Sequence, residues 1–303
     1  MMIPRLLLSV LLLVLLAWQL DMRLVLSQFT AIDPGWLLLA LGLTQFQVLL
    51  SAWRWHFTAR RLGLALPLPH AVREYYLALF LNQVLPGGVL GDVSRAWRHA
   101  RTEVSAGSAV RAVILERASG QLLIALAVPL CLLLQPALLA AIPVPLVAVT
   151  LVLLLAGVVV LAGLAQRPAW RVRLRPWWRD LRRGLLDFHA LPLQLLSSAL
   201  LLASYVLVFW AVARGLGDAT PAVSLMPLVP LLLLAMLLPI SFAGWGVREG
   251  AAAVLWLLAG LDPTAGVAAS IGYGLMVLFG SLPGAAVLWL RSNRYRRSSP
   301  REN

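Results

Sequence analysis

The sequence predicts an all-α polytopic membrane protein made of two inverted repeats, with six to eight transmembrane helices and two broken or re-entrant Gly/Pro segments. Three observations predict this. Hydrophobic residues make up 61% of the 303 and charged residues 12%, with a mean hydropathy of +0.88, which excludes an ordinary soluble domain. Apolar runs of spanning length alternate with short arginine-rich connections, the pattern of helices read by the positive-inside rule. Two polar, Gly/Pro-broken stretches, Leu85 to Arg98 (LPGGVLGDVSRAWR) and Leu238 to Gly250 (LPISFAGWGVREG), interrupt the apolar runs at corresponding places in the two halves, the signature of a repeat-built transporter.

The chain opens with Arg5 and an apolar run to Leu20. No small-x-small cleavage site follows it, so it reads as a retained first span with a cytoplasmic N-terminus. A second run from Pro34 to about Phe57 ends in Arg54, Arg60 and Arg61 and returns the chain to the cytoplasm. From His70 to Val84 the run is apolar but carries Arg73, Glu74, Asn82 and Gln83. Together with the Gly-rich stretch behind it, this run reads as a re-entrant hairpin, because irregular backbone at membrane depth must be buried in protein or line a polar cavity. A span from about Ala112 to Leu134 completes the first repeat, residues 1–135.

The second repeat, residues 143–291, begins after Pro136, Pro143 and Pro145 with a span from Leu146 to Ala165. The segment 166–190 follows, with seven Arg between Arg167 and Arg183 interleaved with Trp170, Trp177 and Trp178. It reads as a cytoplasmic, interfacial amphipathic segment. A span from Leu193 to Ala213, an apolar run from Val223 to Ile240, the second broken stretch and a span from Ala265 to Leu290 complete the repeat. The basic tail 291–303 places the C-terminus in the cytoplasm. With an odd number of crossings in the first repeat, the second enters in the opposite orientation.

All 25 basic residues are Arg, and the formal net charge is +13. In a membrane protein this is first a topology signal, and the rest of the chain offers no support for nucleic acid. One cysteine, Cys131, gives no disulfide framework, and His56, His70, His99 and His189 have no ligand spacing, so neither a metal nor a cofactor is expected. The candidate binding residues are Asn82, Pro86, Gly87, Gly88, Gly91, Asp92, Arg95, Glu116 and Arg117 in the first half and Gly246, Arg248 and Glu249 in the second. Ionisable residues at membrane depth are functional suspects by default. Backbone N–H groups of Gly87, Gly88 and Gly91 with the Arg95 guanidinium suit a phosphate. Asp92 and Glu249 orient Arg95 and Arg248 by ion pairing, or compete with a bound phosphate for them.

At these residues the chain resembles the flippase-like, lysylphosphatidylglycerol synthase transmembrane-region family. The resemblance rests on Phe80, Asn82 and LPGGVLGDVSRAWR, on Leu115-Glu116-Arg117, and on GWGVREG, with Leu90 standing where members often carry another glycine. It implies a multi-pass protein of the bacterial inner membrane that moves an anionic phospholipid or a polyprenyl-phosphate lipid between leaflets. The alternative it implies is a non-enzymatic accessory to a lipid-modifying or glycan-synthesising enzyme partner. In family members with aminoacyltransferase activity, a separate soluble domain does the chemistry. No such domain follows the last expected span here, so the expectation is a protein without enzyme activity.

Overall fold

The computed structural model describes residues 2–19, 22–30, 32–85, 88–103, 105–141, 163, 167–236, 241 and 243–298. Among them the regular elements are helices. Helix α1 spans Met2–Gln19 and α2 Met22–Ser27. Helix α3, Pro34–Arg61, starts where Asp33 accepts a hydrogen bond from the Gly35 N–H at 2.8 Å. Proline in the first turn loses nothing, since its missing N–H would have had no helical partner. The same Asp-Pro start recurs at Asp262, which accepts from the Thr264 N–H at 2.9 Å.

The first half continues with α4 (Leu68–Val84), a break, α5 (Leu90–Thr102) and α6 (Ala106–Leu133). After α7 (Pro136–Ala141), the chain is next described as a helix at α8 (Pro168–Leu181), which runs into a π-turn at Arg182–Leu186. The second half comprises α9 (Leu191–Gly215), α10 (Ala222–Leu225), α11 (Leu228–Ala235), a break, α12 (Val247–Leu258), α13 (Pro263–Ser281) and α14 (Pro283–Ser298).

Four helical stretches among the described residues are long and apolar enough to cross a membrane: Pro34–Arg61, Ala106–Leu133, Leu191–Gly215 and Pro263–Arg291. At 13 and 12 residues, α5 and α12 reach only about 20 Å, short of the roughly 30 Å hydrocarbon layer. The expected span from Leu146 to Ala165 lies almost wholly outside the described residues, as do Pro86 and Gly87 of the first broken stretch and 238–240 and Phe242 of the second. The expected run from Val223 to Ile240 is divided at Pro227 into α10 and α11. The basic stretch 166–190 is largely helical, and it is fastened to the body where Asp180 accepts from Arg111 of α6 at 2.7 Å and Arg61 pairs with Asp187 at 2.6 Å.

Four helices around each break follow the same order of lengths in the two halves. A long helix, a short apolar one, a break, a short helix and a long one occupy 28, 17, 13 and 28 residues in the first half. In the second, the four are Leu191–Gly215, Ala222–Ala235, Val247–Leu258 and Pro263–Arg291. Packing is reciprocal as well: α3 lies on α9, α6 lies on α11, and α14 lies on α4. The last helix of each half thus packs on the helix before the other half's break. Phe209, Trp256 and Tyr273 lie in the core under the second half, and Trp55, Ala52 and Ala112 in the core under the first.

Candidate functional site

Each break restarts into a helix whose third residue is a carboxylate. In the first, Asp92 of α5 accepts from Arg95 Nε at 2.9 Å, Arg117 Nη2 at 2.5 Å and Asn82 Nδ2 at 3.0 Å. Asn82 also accepts the Gly91 N–H at 2.7 Å, tying the end of α4 to the start of α5. Gly91 is required by this closeness: a Cβ there would stand 1.9 Å from the Ala78 carbonyl oxygen. Glu116 of α6 accepts from Arg95 Nη2 at 2.7 Å and from the Tyr75 hydroxyl at 3.4 Å. Arg95 is wholly buried, its guanidinium carbon 4.7 Å from the Trp55 ring centre and 4.5 Å from that of Tyr75. Its Nε and Nη2 are paired with carboxylates and its plane is stacked on two rings, while Nη1 is buried with no hydrogen-bond partner among the described residues.

The second break repeats the device in closed form. Arg248 donates to Glu249 Oε1 through Nη2 at 2.6 Å and Nε at 3.0 Å, and to the Ser270 hydroxyl at 3.1 Å. The other oxygen of Glu249 accepts the Gly246 N–H at 2.7 Å. Both charged side chains are buried, and Gly274 of α13 leaves room for the guanidinium, since a Cβ there would lie 2.1 Å from Arg248 Nη2. Gly244 and Gly246 have φ of +86° and +85°, the region open to glycine, while Ala243 is held at +50°.

Two cavities adjoin the first cluster. The larger, about 740 Å³, is lined by Asn82, Gly88 and Asp92 of the first broken segment and by Ser241, Ala243 and Gly244 of the second. Val93, Trp97, Val110 and Ile114 form an apolar wall, and all four are exposed. The smaller, about 250 Å³, is lined by Gln47, Arg54, Glu116 and Ser198, with Tyr205 and Tyr273. Leu79, Arg117, Gln121 and Met236 line both, so these four side chains form the partition between them.

Of the sequence candidates, the structure brings Asn82, Gly88, Asp92, Glu116 and Arg117 to cavity walls. Gly91 and Arg95 stand behind them. Gly246, Arg248 and Glu249 line neither cavity. Pro86 and Gly87 lie outside the described residues. The guanidinium that lines both cavities is Arg117, whose side chain is 39% exposed; Arg54 lines the smaller one alone, and the side chain of Arg95 is 0% exposed. The positive ends of α5 and α12 are met by the chain's own Asp92 and Glu249, each a carboxylate in the first turn of its helix.

Sequence reasoning missed Arg54, treating it as a topology marker. It is buried in α3 and donates to the Glu116 carbonyl at 3.2 Å and the Ser119 hydroxyl at 2.5 Å. A signal was present: Thr44, Gln47, Ser51, Arg54 and Thr58 recur at helical spacing in an otherwise apolar run, and all five are buried. Glu74 joins α4 to two other helices through Arg98, at 2.6 Å, and Arg291. Among the described residues no group of His, Cys, Asp or Glu could hold a metal ion.

Residues 2–284 match the family described as Lysylphosphatidylglycerol synthase TM region. The chain belongs to that family. It is therefore a membrane protein tied to lipid metabolism, matching the transmembrane region of lipid-modification proteins rather than a catalytic domain. No curated protein matches the chain.

Proposed function

We propose that this chain moves an anionic phospholipid or a polyprenyl-phosphate lipid between leaflets of the bacterial inner membrane, with both termini cytoplasmic and the two halves related as inverted repeats. The observation that carries the reading is the cavity of about 740 Å³ lined by both broken segments, within the volume range of small-molecule sites. Its chemistry is that of a lipid. Val93, Trp97, Val110 and Ile114 offer an exposed apolar side for a chain entering from hydrocarbon, and Asp92 and Arg117 offer a charged end.

A lipid phosphate and Asp92 are both acceptors for the Arg117 fork. Binding exchanges one oxyanion for another at Arg117, while Arg95 and Asn82 keep Asp92 paired. Release restores the Arg117–Asp92 bridge. Arg95, Arg248 and their carboxylates hold the two broken segments in shape for this exchange. The test is leaflet exchange of a headgroup-labelled anionic lipid in vesicles carrying the protein. Wild type accelerates exchange over empty vesicles, and Arg117→Gln at matched insertion loses the acceleration. Exchange in wild type no faster than in empty vesicles, across phosphatidylglycerol and a polyprenyl phosphate, overturns the reading in favour of an accessory role beside a lipid-modifying enzyme.

A further inference from the structure

Helix α8 carries a surface that the transport reading does not use. Trp170, Leu174, Trp177, Trp178 and Leu181 recur along it at helical spacing and form one apolar stripe. Arg175, Arg179 and Arg182 stand one position after Leu174, Trp178 and Leu181, so they flank that stripe on one side. On its other side Asp180 is buried against the body, accepting from Arg111 Nε at 2.7 Å and from the Ser108 hydroxyl at 3.3 Å. With that edge fixed, the stripe is left partly bare: Trp178 is 61% exposed, and Phe188, just past the π-turn, 86%. Exposed apolar groups rimmed by charge mark a surface that something covers.

The place of the helix says what covers it. Arg61, the last residue of α3, pairs with Asp187. Ser108 and Arg111 lie in the first two turns of α6, and Gln194, in the first turn of α9, donates to the Gly184 carbonyl at 3.3 Å. At 28, 28 and 25 residues, α3, α6 and α9 run about 38–42 Å, close to the roughly 40–45 Å of a bilayer with its headgroups. The segment therefore lies across three ends of membrane-length helices, at headgroup depth, where tryptophan is favoured.

Charge says which bilayer. Residues 166–190 hold seven arginines against two carboxylates, Asp180 and Asp187. Both carboxylates are already held by arginines of the body, Arg111 and Arg61. Of the segment's own arginines Arg179 shares Asp180 at 3.3 Å, while Arg175 and Arg182 are exposed and have no ion pair among the described residues. Their charge is left for an outside partner.

We infer that this segment is a docking surface for an anionic phospholipid bilayer, with Leu174 and Trp178 sunk at the edge of the hydrocarbon and Arg175 and Arg182 among the phosphates. A neutral leaflet supplies the apolar contact alone. An anionic one adds roughly fivefold in favour of docking for each arginine near the surface. A soluble polyanion, protein or nucleic acid, meets the same charge only from the water side and leaves Trp178 and Phe188 bare.

The test places the full chain in lipid nanodiscs with one bimane reporter, on Trp178→Cys in a Cys131→Ala background, Cys131 being the chain's sole cysteine. Quenching by phosphatidylcholine spin-labelled near its headgroup reports docking, and quenching by aqueous iodide reports its loss. In discs containing phosphatidylglycerol the spin label quenches strongly and iodide weakly. Discs of phosphatidylcholine alone shift the balance toward iodide, and so does raising salt from about 0.15 to about 1 M, which shortens the screening length from about 8 to about 3 Å. Arg175→Gln with Arg182→Gln, at an unchanged melting temperature, weakens docking by about 25-fold and makes anionic discs read like neutral ones.

Equal lipid quenching in neutral and anionic discs overturns the inference, as does a paired variant that quenches like wild type. A reporter open to iodide in anionic discs also overturns it and leaves the arginines to a soluble polyanion. None of these readings involves lipid exchange, so the transport reading stands or falls separately.

Discussion

The two broken segments use one device to opposite ends. Each turns the chain through a glycine at positive φ, Gly88 in one and Gly244 and Gly246 in the other, then restarts a helix with a carboxylate in its first turn that grips a buried arginine stacked on aromatic rings. In the second segment the pair is complete, because Arg248 and Glu249 satisfy one another, Ser270 and the Gly246 N–H. In the first, Asp92 is shared between Arg95 and Arg117, and Arg117 faces open space. The difference teaches which parts of a repeated motif hold the structure and which are left free to act: a saturated pair can only lock, while a carboxylate with two cations has one to release.

The sharpest way to break this comparison is to open the closed pair. Arg248→Met leaves Glu249 charged and buried without its cation, which is expected to cost about 3–5 kcal/mol in equilibrium unfolding from mixed detergent micelles. Adding Glu249→Gln removes the stranded charge while the amide oxygen still receives the Gly246 N–H, and recovers at least half the loss. A single variant as stable as wild type means the second pair is not a lock.

Packing offers a second contrast. Gly91→Ala drives a methyl into the Ala78 carbonyl and is expected to destabilise by roughly 1–3 kcal/mol. Gly250→Ala in α12 meets no atom within 4 Å and is expected to be neutral or to stabilise by up to about 1 kcal/mol. Thermal melting of both variants checks the pair, and similar shifts for the two remove the asymmetry.

Arg117→Gln sharpens the functional side. Leaflet exchange falls at least tenfold, while unfolding free energy changes by no more than about 1 kcal/mol, the size of a partly exposed ion pair. A stability loss as large as that of Arg248→Met would make the two segments alike.

The smallest effect lies outside the four helical stretches long enough to cross a membrane, at Asp187. The His189 backbone N–H, then the Arg61 guanidinium, hold its carboxyl below the usual carboxylate range. A lowered folded-state value adds stability that is present above the ordinary aspartate pKa and fades as pH falls through the lowered one. Melting curves of wild type and Asp187→Asn therefore differ slightly at neutral pH and converge in acid; a gap that widens in acid contradicts the pairing.

Much of the fold was legible because a bilayer leaves the chain few options. A run such as Pro34 to Phe57, apolar and ended by arginines, can only be a helix there, with its polar backbone satisfied internally. The Asp33-Pro34 and Asp262-Pro263 starts follow from capping chemistry alone. Proline and glycine in LPGGVLGD and GWGVREG gave away the breaks, since neither sustains a helix interior. Arg54 shows where this reading stopped. Its neighbours Gln47 and Ser51 carried the helical spacing, but an arginine near a run's end is an equally good topology marker, and only a partner from α6 separates the two meanings.

By itself, then, the sequence determined most of the helices, the breaks between them, the family and most of the charged residues at those breaks, because these depend on local periodicity, on backbone chemistry and on the solvent around the chain. Tertiary structure alone decided the division of labour among those charges. Arg95 and Arg117 are equally charged and both pair with Asp92, and no local rule ranks one above the other. Trp55 of α3 and Tyr75 of α4 close over the first. The second is left facing the cavities because α6 turns it toward the space between the broken segments. Which charge is spent and which is free is a property of what packs against it, and that is set by residues far away in the chain.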